Sequence, residues 1–390
     1  MAQRIRLPVR PDWREKVEQR GLSWHTGADG TVYWDESAYW LFSEAEVDEI
    51  EAATNELYDL CQKAVGHAIE QKALAEFGYD PPTIALIEQS WARRSWQPTF
   101  YARFDLAYDG QAIKLLELNG DTPTSLVEAA VVQWWWLEER FPDADQFNSI
   151  HDKLVAALGL YRQNAAPGEA LYTTCVTPHA EDQGTIEYLA AAASEAGVQT
   201  RFIALGDIGL RSSGGADQFV DLDDQPIRTL FKLVPWEWLL ADPFGQALAR
   251  EAGAERIRLV EPAWKMVASN KRLLVTLKEM FPDCRYLLDA TASAEIAAGY
   301  GDYVRKPVRG REGANVSLIQ AGQTVAANPG AYADDLFVYQ RRADLLQADG
   351  AHAVLGSWVV NRQACGMGVR ESAGPVTDDR ARFVPHVMGG

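Results

Sequence analysis

The sequence predicts an α/β (α+β) protein, because helical and strand-like segments alternate along its 390 residues. The longest predicted helix covers residues 43–77: Ser43 and Glu46 form a capping-box pattern at its start, and apolar residues then recur at helical spacing. Two further helices are predicted over 124–141 and 183–196. Short strands are predicted over 170–174, 200–203 and 303–308, and more strand-like runs separated by glycine turns follow from about residue 270.

The charge balance excludes several classes of partner. The chain has 37 basic and 55 acidic residues, which gives a net charge of −18 at pH 7. Such an acidic surface repels phosphate backbones and anionic lipid headgroups, so we expect neither nucleic acid nor a membrane surface as a partner. The same surface is compatible with a cationic substrate. The composition carries no prediction of oligomeric state.

The N-terminal residues lack the apolar core of a secretory signal, and no apolar run approaches the ~20 residues of a membrane-spanning helix. The four cysteines are scattered without metal-ligand spacing. Cys61 falls inside a predicted helix with no cysteine–histidine signature nearby, which favours a buried, inert thiol. We therefore predict a cytoplasmic protein with reduced cysteines.

Residues 99–119 are predicted to form a hairpin that carries polar side chains on one face. The first run alternates apolar residues with Arg103 and Asp105, which is typical of a half-buried strand. The second run alternates Leu116 and Leu118 with Glu117 and Asn119. The turn between them contains Asp109–Gly110, a common hairpin signal.

The length of this turn decides whether the polar residues of the two strands meet. A two-residue loop, Asp109–Gly110, pairs odd-numbered with even-numbered residues and puts the two polar sets on opposite faces. A three-residue loop, Tyr108–Asp109–Gly110 with Gly110 left-handed, pairs odd with odd. We predict the three-residue loop, so that all four polar residues of the two strands share one face.

A face of this kind offers oxygen ligands to a hard cation. Mg²⁺ prefers oxygen ligands, retains several waters and usually completes its shell with substrate phosphates. Arg103 beside the cluster could hold a phosphoryl group through two hydrogen bonds. An ordinary strand face, with Arg103 paired to Asp105 or Glu117, explains the same pattern equally well.

A second polar constellation lies at residues 303–319, where Lys306 ends a strand-like run and Gly310 and Gly313 follow among arginines. Glycines let backbone N–H groups approach phosphate oxygens, and a lysine neutralises their charge. The segment matches neither the P-loop nor the Rossmann pattern, and a solvated basic turn is the more frequent explanation of such a segment alone. With Lys271 and Arg370, it completes the kinds of group that phosphoryl transfer from ATP uses.

Together these motifs resemble the glutathionylspermidine synthase family, in its ATP-grasp synthetase part. The resemblance rests on RFD (103–105), LELNGDTPTSL (116–126), NKRLLVTLKEMFP (270–282), RKPVRGREGANV (305–316) and GVRE (368–371), in matching order and spacing. It implies an ATP-grasp fold with a preceding pre-ATP-grasp-like α/β subdomain and an N-terminal helical segment. We expect one interwoven unit over 11–388, with approximate subregions 1–98 (mostly helical), 99–265 (metal hairpin and substrate side) and 266–390 (nucleotide binding and lid).

The resemblance also implies a role for individual residues. Asp105, Glu117 and Asn119 would hold Mg²⁺, and Arg103 and Arg370 would stabilise the transferring phosphoryl group. The remaining nucleotide contacts would be Lys271, Lys306, Glu312 and Gly313 of the mobile loop, and Gln340 in the adenine-contacting strand. On the substrate side, Thr122 and Thr124 would meet glutathione, while Glu181 and Asp182 would meet the polyamine and the amino end of the peptide. From the residues alone, Glu181 and Asp182 are equally well explained as N-terminal residues of a helix.

The activity implied is ATP- and Mg²⁺-dependent ligation of a peptide carboxylate to a polyamine, through an acylphosphate, with release of ADP and phosphate. Bifunctional family members carry an N-terminal amidase; this chain begins at the synthetase part, so we expect no amidase activity. Trp238 stands where the synthetases present a threonine to glutathione, so a ligase for a different peptide or amino acid and a different amine is an alternative. A nucleotide-binding regulatory protein without turnover is the alternative from another class.

Overall fold

The computed structural model describes residues 1–213, 216–311, 313–330, 336–377 and 380–389, with side chains omitted at 213 and 216. The helices are α1 Trp13–Glu18, α2 Glu44–Glu70, α3 Pro81–Ala92, α4 Gln133–Arg140, α5 Ile150–Asn164, α6 Ala180–Glu195, α7 Trp236–Leu240, α8 Pro243–Gly253, α9 Lys265–Ser269, α10 Leu273–Met280 and α11 Ala294–Ala297. The strands are β1 Gln3–Arg6, β2 Ala38–Ser43, β3 Tyr101–Tyr108, β4 Ile113–Asn119, β5 Leu171–Cys175, β6 Thr200–Phe202, β7 Gly209–Ser213, β8 Ala216–Val220, β9 Thr229–Leu233, β10 Arg258–Val260, β11 Ala290–Thr291, β12 Tyr303–Pro307, β13 Ser317–Gln320, β14 Gln323–Ala327, β15 Phe337–Arg341, β16 Leu346–Ala348, β17 Ala351–Val360, β18 Gln363–Ser372, β19 Arg382–Val384 and β20 His386–Gly389.

The predicted elements form close to their expected bounds. Ser43 caps α2 through the reciprocal bonds of a capping box with Glu46, and a 3-10 turn at Ala73–Phe77 completes the predicted 43–77 segment. The predicted helix at 124–141 is one continuous segment in which the π-helical turn Glu128–Val132 precedes α4. Strands β5, β6 and β12 coincide with the three predicted short strands to within one residue at either end.

Three sheets carry most of the architecture. A parallel four-stranded sheet has the order β10-β9-β5-β6. An antiparallel five-stranded sheet has the order β11-β15-β12-β13-β14, and a six-stranded sheet has the order β19-β18-β17-β3-β4 with β16 added to β17. Because β3 pairs with β17, a strand formed more than 200 residues later, distant parts of the chain share one sheet. The predicted division into three subregions stays a prediction.

The β3–β4 hairpin differs from the predicted one at its turn. Tyr108 pairs with Ile113, so the connection is the four-residue segment 109–112 and the predicted three-residue loop is wrong. Asp109 organises this turn, because its Oδ1 accepts from the backbone N–H groups of Gln111 and Ala112 at 2.8 and 2.7 Å. Gly110 is left-handed as predicted, with φ of 94°.

A β-bulge at Leu116 restores the predicted face. Near the turn, Leu106 pairs with Leu115, an even–odd register that would separate the two polar sets. The extra residue Leu116 shifts the register by one, so that Asp105 pairs with Glu117 and Arg103 with Asn119. Leu116 therefore leaves the face of Leu118 and turns toward a cavity, contrary to the predicted alternation.

The hairpin lies in the interior rather than half-buried as predicted. All eight residues of β3 are buried, because the core covers one face and the cavity described below lies on the other. Arg103 and Asp105 are 5% and 7% exposed. Among the described residues, no helix combines the length and apolar character that crossing a bilayer requires.

Candidate active site

A cavity of about 340 Å³ lies between the six-stranded and the five-stranded antiparallel sheets. Twelve of the fifteen residues singled out by the sequence line it. They are Arg103 and Asp105 (β3), Glu117 and Asn119 (β4), Thr122 and Thr124 after β4, Glu181 (α6), Lys271 before α10, Lys306 (β12), Gly313, Gln340 (β15) and Arg370 (β18). Residues separated by up to 267 positions in the chain therefore meet around one cavity.

Asp105 sits between two arginines on one side of this cavity. Its Oδ1 accepts from Arg103 Nε at 2.9 Å, and its Oδ2 accepts from Arg370 Nη2 at 2.5 Å. Burial alone would raise the pKa of Asp105, but the two guanidinium groups outweigh it and lower the pKa to about 2. The carboxylate is thus ionised throughout the neutral range.

Two lysines line the other side, one bonded to β4 and one to β15. Lys271 Nζ lies 2.8 Å from Glu117 Oε2 and donates to the Gly310 carbonyl at 2.6 Å. Lys306 Nζ donates to Gln340 Oε1 at 2.8 Å and to the Leu116 carbonyl at 3.1 Å. Burial lowers the pKa of Lys306 to about 8, although Glu117 opposes the shift.

Asp105, Glu117 and Asn119 present oxygen atoms to the cavity from adjacent strands, which suits a hard cation. Asn119 Nδ2 is buried without a hydrogen-bond partner, so no donated bond fixes the orientation of this amide. Among the described residues, no three His, Cys, Asp or Glu side chains gather into a metal cluster. The set of two carboxylates and one amide fits Mg²⁺, which takes part of its shell from water and phosphates.

The glycine loop closes over the lysine side. A Cβ at Gly310 would collide with the Pro307 ring, and one at Gly313 would collide with the Thr377 carbonyl oxygen. Gly313 also has a left-handed φ of 68°, so both positions require glycine. Arg311 lines the cavity and donates to Thr122 Oγ1 at 2.8 Å. Glu312, predicted in this loop, lies outside the described residues.

The predicted substrate-side residues divide into two groups. Thr122 and Thr124 line the cavity, and the Thr124 carbonyl accepts from Arg103 Nη1 at 2.5 Å. Glu181 and Asp182 both stand in the first turn of α6, behind the N-cap residue His179, and Glu181 also lines the cavity. Asp182 does not line it, and neither does Trp238, which is 54% exposed on α7. Their predicted substrate roles stay predictions.

Sequence reasoning missed several groups at or behind the wall of the cavity. Tyr33 and His352 line it, but each stands in a segment without a motif. Lys232 donates to Asp121 Oδ1 at 2.6 Å in a fully buried pair that ties β9 to the end of β4. Asp121 lies within the LELNGDTPTSL motif, but nothing in the sequence around Lys232 indicates that this lysine is buried or that Asp121 is its partner.

Comparison with known proteins finds relatives that bear the names of ligases. The family model described as glutathionylspermidine synthase preATP-grasp matches residues 4–389. A Haemophilus influenzae protein that bears the provisional name acid–amine ligase is 39% identical over 97% of this chain and 98% of its own length. The trypanothione synthetase of Crithidia fasciculata is 27% identical, and the bifunctional glutathionylspermidine synthetase/amidase of Escherichia coli is 24% identical. The chain spans about half the length of these last two, 48% and 54%.

The fold has a relative among solved structures. The glutathione synthetase-like effector of Globodera pallida superposes with a TM-score of 0.59 over 97% of this chain and 96% of that chain, at 11% identity. This likeness, with the match of the family model to nearly the whole chain, identifies the mixed α/β architecture as an ATP-grasp fold. The chain belongs to the glutathionylspermidine synthase family.

Proposed function

We propose that this protein is an ATP- and Mg²⁺-dependent ligase that joins a peptide carboxylate to an amine through an acylphosphate. One observation carries the proposal: the bulge at Leu116 brings Asp105, Glu117 and Asn119 onto a single cavity face beside Arg103 and Arg370. A nucleotide-binding protein without turnover needs no arginines at the point of phosphoryl transfer. The relatives named above also carry names of acid–amine ligation.

The nucleotide half of the proposed site follows from its charges. Lys271 and Lys306 would hold ATP phosphates. Gln340, which accepts a hydrogen bond from the Lys306 ammonium, would contact the nucleotide beside them. Asp105, Glu117 and Asn119 would hold Mg²⁺, which neutralises phosphate charge when bound. Arg103 and Arg370 would stabilise the phosphoryl group as it moves to the peptide carboxylate, because charge accumulates on its oxygens.

The acceptor half would lie at the Thr122–Thr124 segment and Glu181. The hydroxyl groups of Thr122 and Thr124 can meet a peptide, and Glu181, with Asp182 behind it, would attract a cationic amine. Relatives named for glutathionylspermidine and trypanothione suggest glutathione and spermidine as the first substrates to test. The loop around Gly310 and Gly313, together with Glu312, would exclude water that otherwise hydrolyses the acylphosphate. Consumption of ATP fits the predicted cytoplasmic location, which stays a prediction.

The test is ADP release by the purified chain with Mg²⁺, across a panel of peptides and amines. We expect ADP to form at a rate that depends on both the acid and the amine, with glutathione and spermidine among the productive compounds. Release with amino acids or other amines, but not with glutathione, would assign the alternative substrates. Binding of ATP without amine-dependent ADP for any pair would overturn the ligase and favour the regulatory alternative.

A further inference from the structure

A buried carboxylate stands behind the acceptor half of the cavity. Glu128 opens the π-helical turn, is 0% exposed, and accepts from Trp24 Nε1 through Oε1 at 2.8 Å. Its second oxygen, Oε2, is buried and accepts no hydrogen bond of good geometry, although the Tyr33 hydroxyl is close enough to act on the carboxyl group. A buried carboxylate oxygen left unpaired costs free energy, so its retention calls for a reason beyond folding.

Tyr33 connects this carboxylate to the cavity. The Tyr33 side chain lines the cavity, and its hydroxyl lies 3.1 Å from Ser125 Oγ and within electrostatic range of Glu128. Ser125 has a left-handed φ of 67°, a strained conformation for serine, just before the π-helical turn. Left-handed backbone and π-helical turns both recur at functional sites, and here they adjoin the same acidic group.

Tyr33 also lies close to the reaction centre. Arg370, which holds Asp105, is within electrostatic range of Tyr33, and Arg103 is within range of Glu128. Glu181, in the first turn of α6, is also within electrostatic range of Tyr33. Trp24 and Ser125 add polar contacts to the Tyr33–Glu128 pair.

The proposed ligation requires a proton acceptor that the nucleotide half does not supply. At neutral pH a primary amine is an ammonium ion, which must lose a proton before it can attack. Asp105 is bonded to two arginines with its pKa lowered to about 2, and Lys271 holds the pKa of Glu117 below its ordinary value against burial. Burial instead raises the pKa of Glu128, partly offset by the bonds it accepts.

We propose that Tyr33 and Glu128 accept the proton that the ammonium substrate loses before attack, an inference that rests on the proposed ligase function. One ammonium proton passes to Tyr33 Oη while the phenol proton passes to Glu128 Oε2, which leaves a neutral amine. The nitrogen lone pair then forms the C–N bond, the C–O bond of the acylphosphate breaks, and the departing phosphate takes the second nitrogen proton. Glu128 returns its proton to solvent through Tyr33.

Hydroxylamine separates this role from a structural one, because it is already neutral at neutral pH and forms a hydroxamate directly from an acylphosphate. We expect Glu128→Gln, which preserves shape and the bond from Trp24, to lower the rate with spermidine by about 100-fold, the range of general base catalysis. The loss with hydroxylamine should be at least ten-fold smaller. Tyr33→Phe, at a half-buried position, should show the same selectivity and serves where Glu128→Gln folds poorly.

The pH profile gives a second readout. In the wild type, the spermidine rate should fall on acidification through the raised pKa of Glu128, and this limb should disappear in Glu128→Gln. Glu251→Gln is the matched control: Glu251 is 1% exposed and paired with Arg256, away from the cavity, so this variant should lose stability without changing the spermidine-to-hydroxylamine ratio.

Two negative outcomes are distinguishable. If the wild type releases ADP with neither spermidine, hydroxylamine nor any other amine of the panel, the ligase function itself fails. If the wild type turns over and Glu128→Gln and Tyr33→Phe lose both activities equally, or neither, the proton-accepting pair is refuted while the ligase function stands.

Discussion

Replacing Asp105 by asparagine should separate the metal role of this residue from its part in holding the fold. The substitution keeps the shape of the side chain but removes the negative charge between Arg103 and Arg370, to which Asp105 is bonded at 2.9 and 2.5 Å. It also removes one of the two carboxylates of the proposed Mg²⁺ site. Both losses follow from a change of one atom.

The stability cost can be estimated from the pKa of Asp105. A decrease from 3.8 to about 2 corresponds to about 2 kcal/mol of stability at neutral pH. Because the folded-state pKa is the lower one, this contribution is complete above about pH 4 and is lost as the pH falls toward 2. The buried Arg103 and the half-buried Arg370 would be left without their counter-ion, which brings the cost to about 3–5 kcal/mol.

The catalytic cost should be larger and of a different kind. We expect ADP release to fall by at least about 100-fold, the usual effect of removing a group that stabilises transferred charge. The Mg²⁺ concentration for half-maximal activity should rise at least about ten-fold, as for a weakened metal site. Affinity for metal-free ATP should not fall, because the variant site carries one more net positive charge.

The assays are ADP release at graded Mg²⁺ concentration, binding of metal-free ATP, and thermal melting. Asp221→Asn is a suitable control, since Asp221 pairs with Arg201 at 3.2 Å and does not line the cavity. Near-wild-type turnover of Asp105→Asn, or reduced turnover with unchanged Mg²⁺ dependence, would refute the metal assignment. Loss of ATP binding together with a collapsed melting transition would instead refute the estimate of stability.

Three further predictions concern stability and thiol chemistry. Lys232→Met should destabilise the fold by about 3–5 kcal/mol, because it leaves the buried Asp121 carboxylate without its counter-ion. Adding Asp121→Asn should restore part of the melting temperature, and an unchanged melting temperature in Lys232→Met would contradict this prediction. Burial lowers the pKa of His386 from 6.5 to about 3. The contribution of the neutral imidazole to the free energy of unfolding is therefore fully present above pH 6.5, and the free energy of unfolding should fall by about 2 kcal/mol at pH 5. Denaturant unfolding at several pH values should show this decrease in the wild type and not in His386→Asn. Iodoacetamide should label Cys284 in the native protein, since the other three cysteines are buried and burial raises their thiol pKa values; labelling of Cys61 at a comparable rate would contradict this.

The hairpin shows how far periodicity can be followed from sequence. The shared face of Arg103, Asp105, Glu117 and Asn119 was predicted from a three-residue loop, and the face forms although that loop does not. The route to that face could not be predicted, because a four-residue turn and a bulge each change the parity of pairing and their effects cancel. The alternation of polar and apolar residues indicates which side chains share a face, but it does not show the turn length or the bulge that brings them there.

Buried charges mark the second limit. Glu128 lies within a correctly predicted helical segment, yet a glutamate in a helix ordinarily indicates a solvent-facing side. Its burial depends on Trp24 and Tyr33, which come from the N-terminal segment about 100 residues earlier. Lys232 is similar, since its partner Asp121 lies in the loop after β4, a strand of another sheet. Such residues become recognisable only when the tertiary contacts that desolvate them are known.

The charges inside the cavity also limit which ligands the net charge of −18 can exclude. Within the cavity, Arg103, Arg370, Lys271 and Lys306 face the carboxylates of Asp105 and Glu117, so the nucleotide half has a local surplus of positive charge. Fields of the acidic exterior are screened over roughly 8–10 Å of electrolyte, whereas buried charges act on a bound ligand with little screening. The overall charge therefore opposes a nucleic acid, which must lie along the surface, but does not oppose a nucleoside triphosphate that enters the cavity. The acidic groups proposed to favour a polyamine are likewise local ones, Glu181 and Asp182 in the first turn of α6.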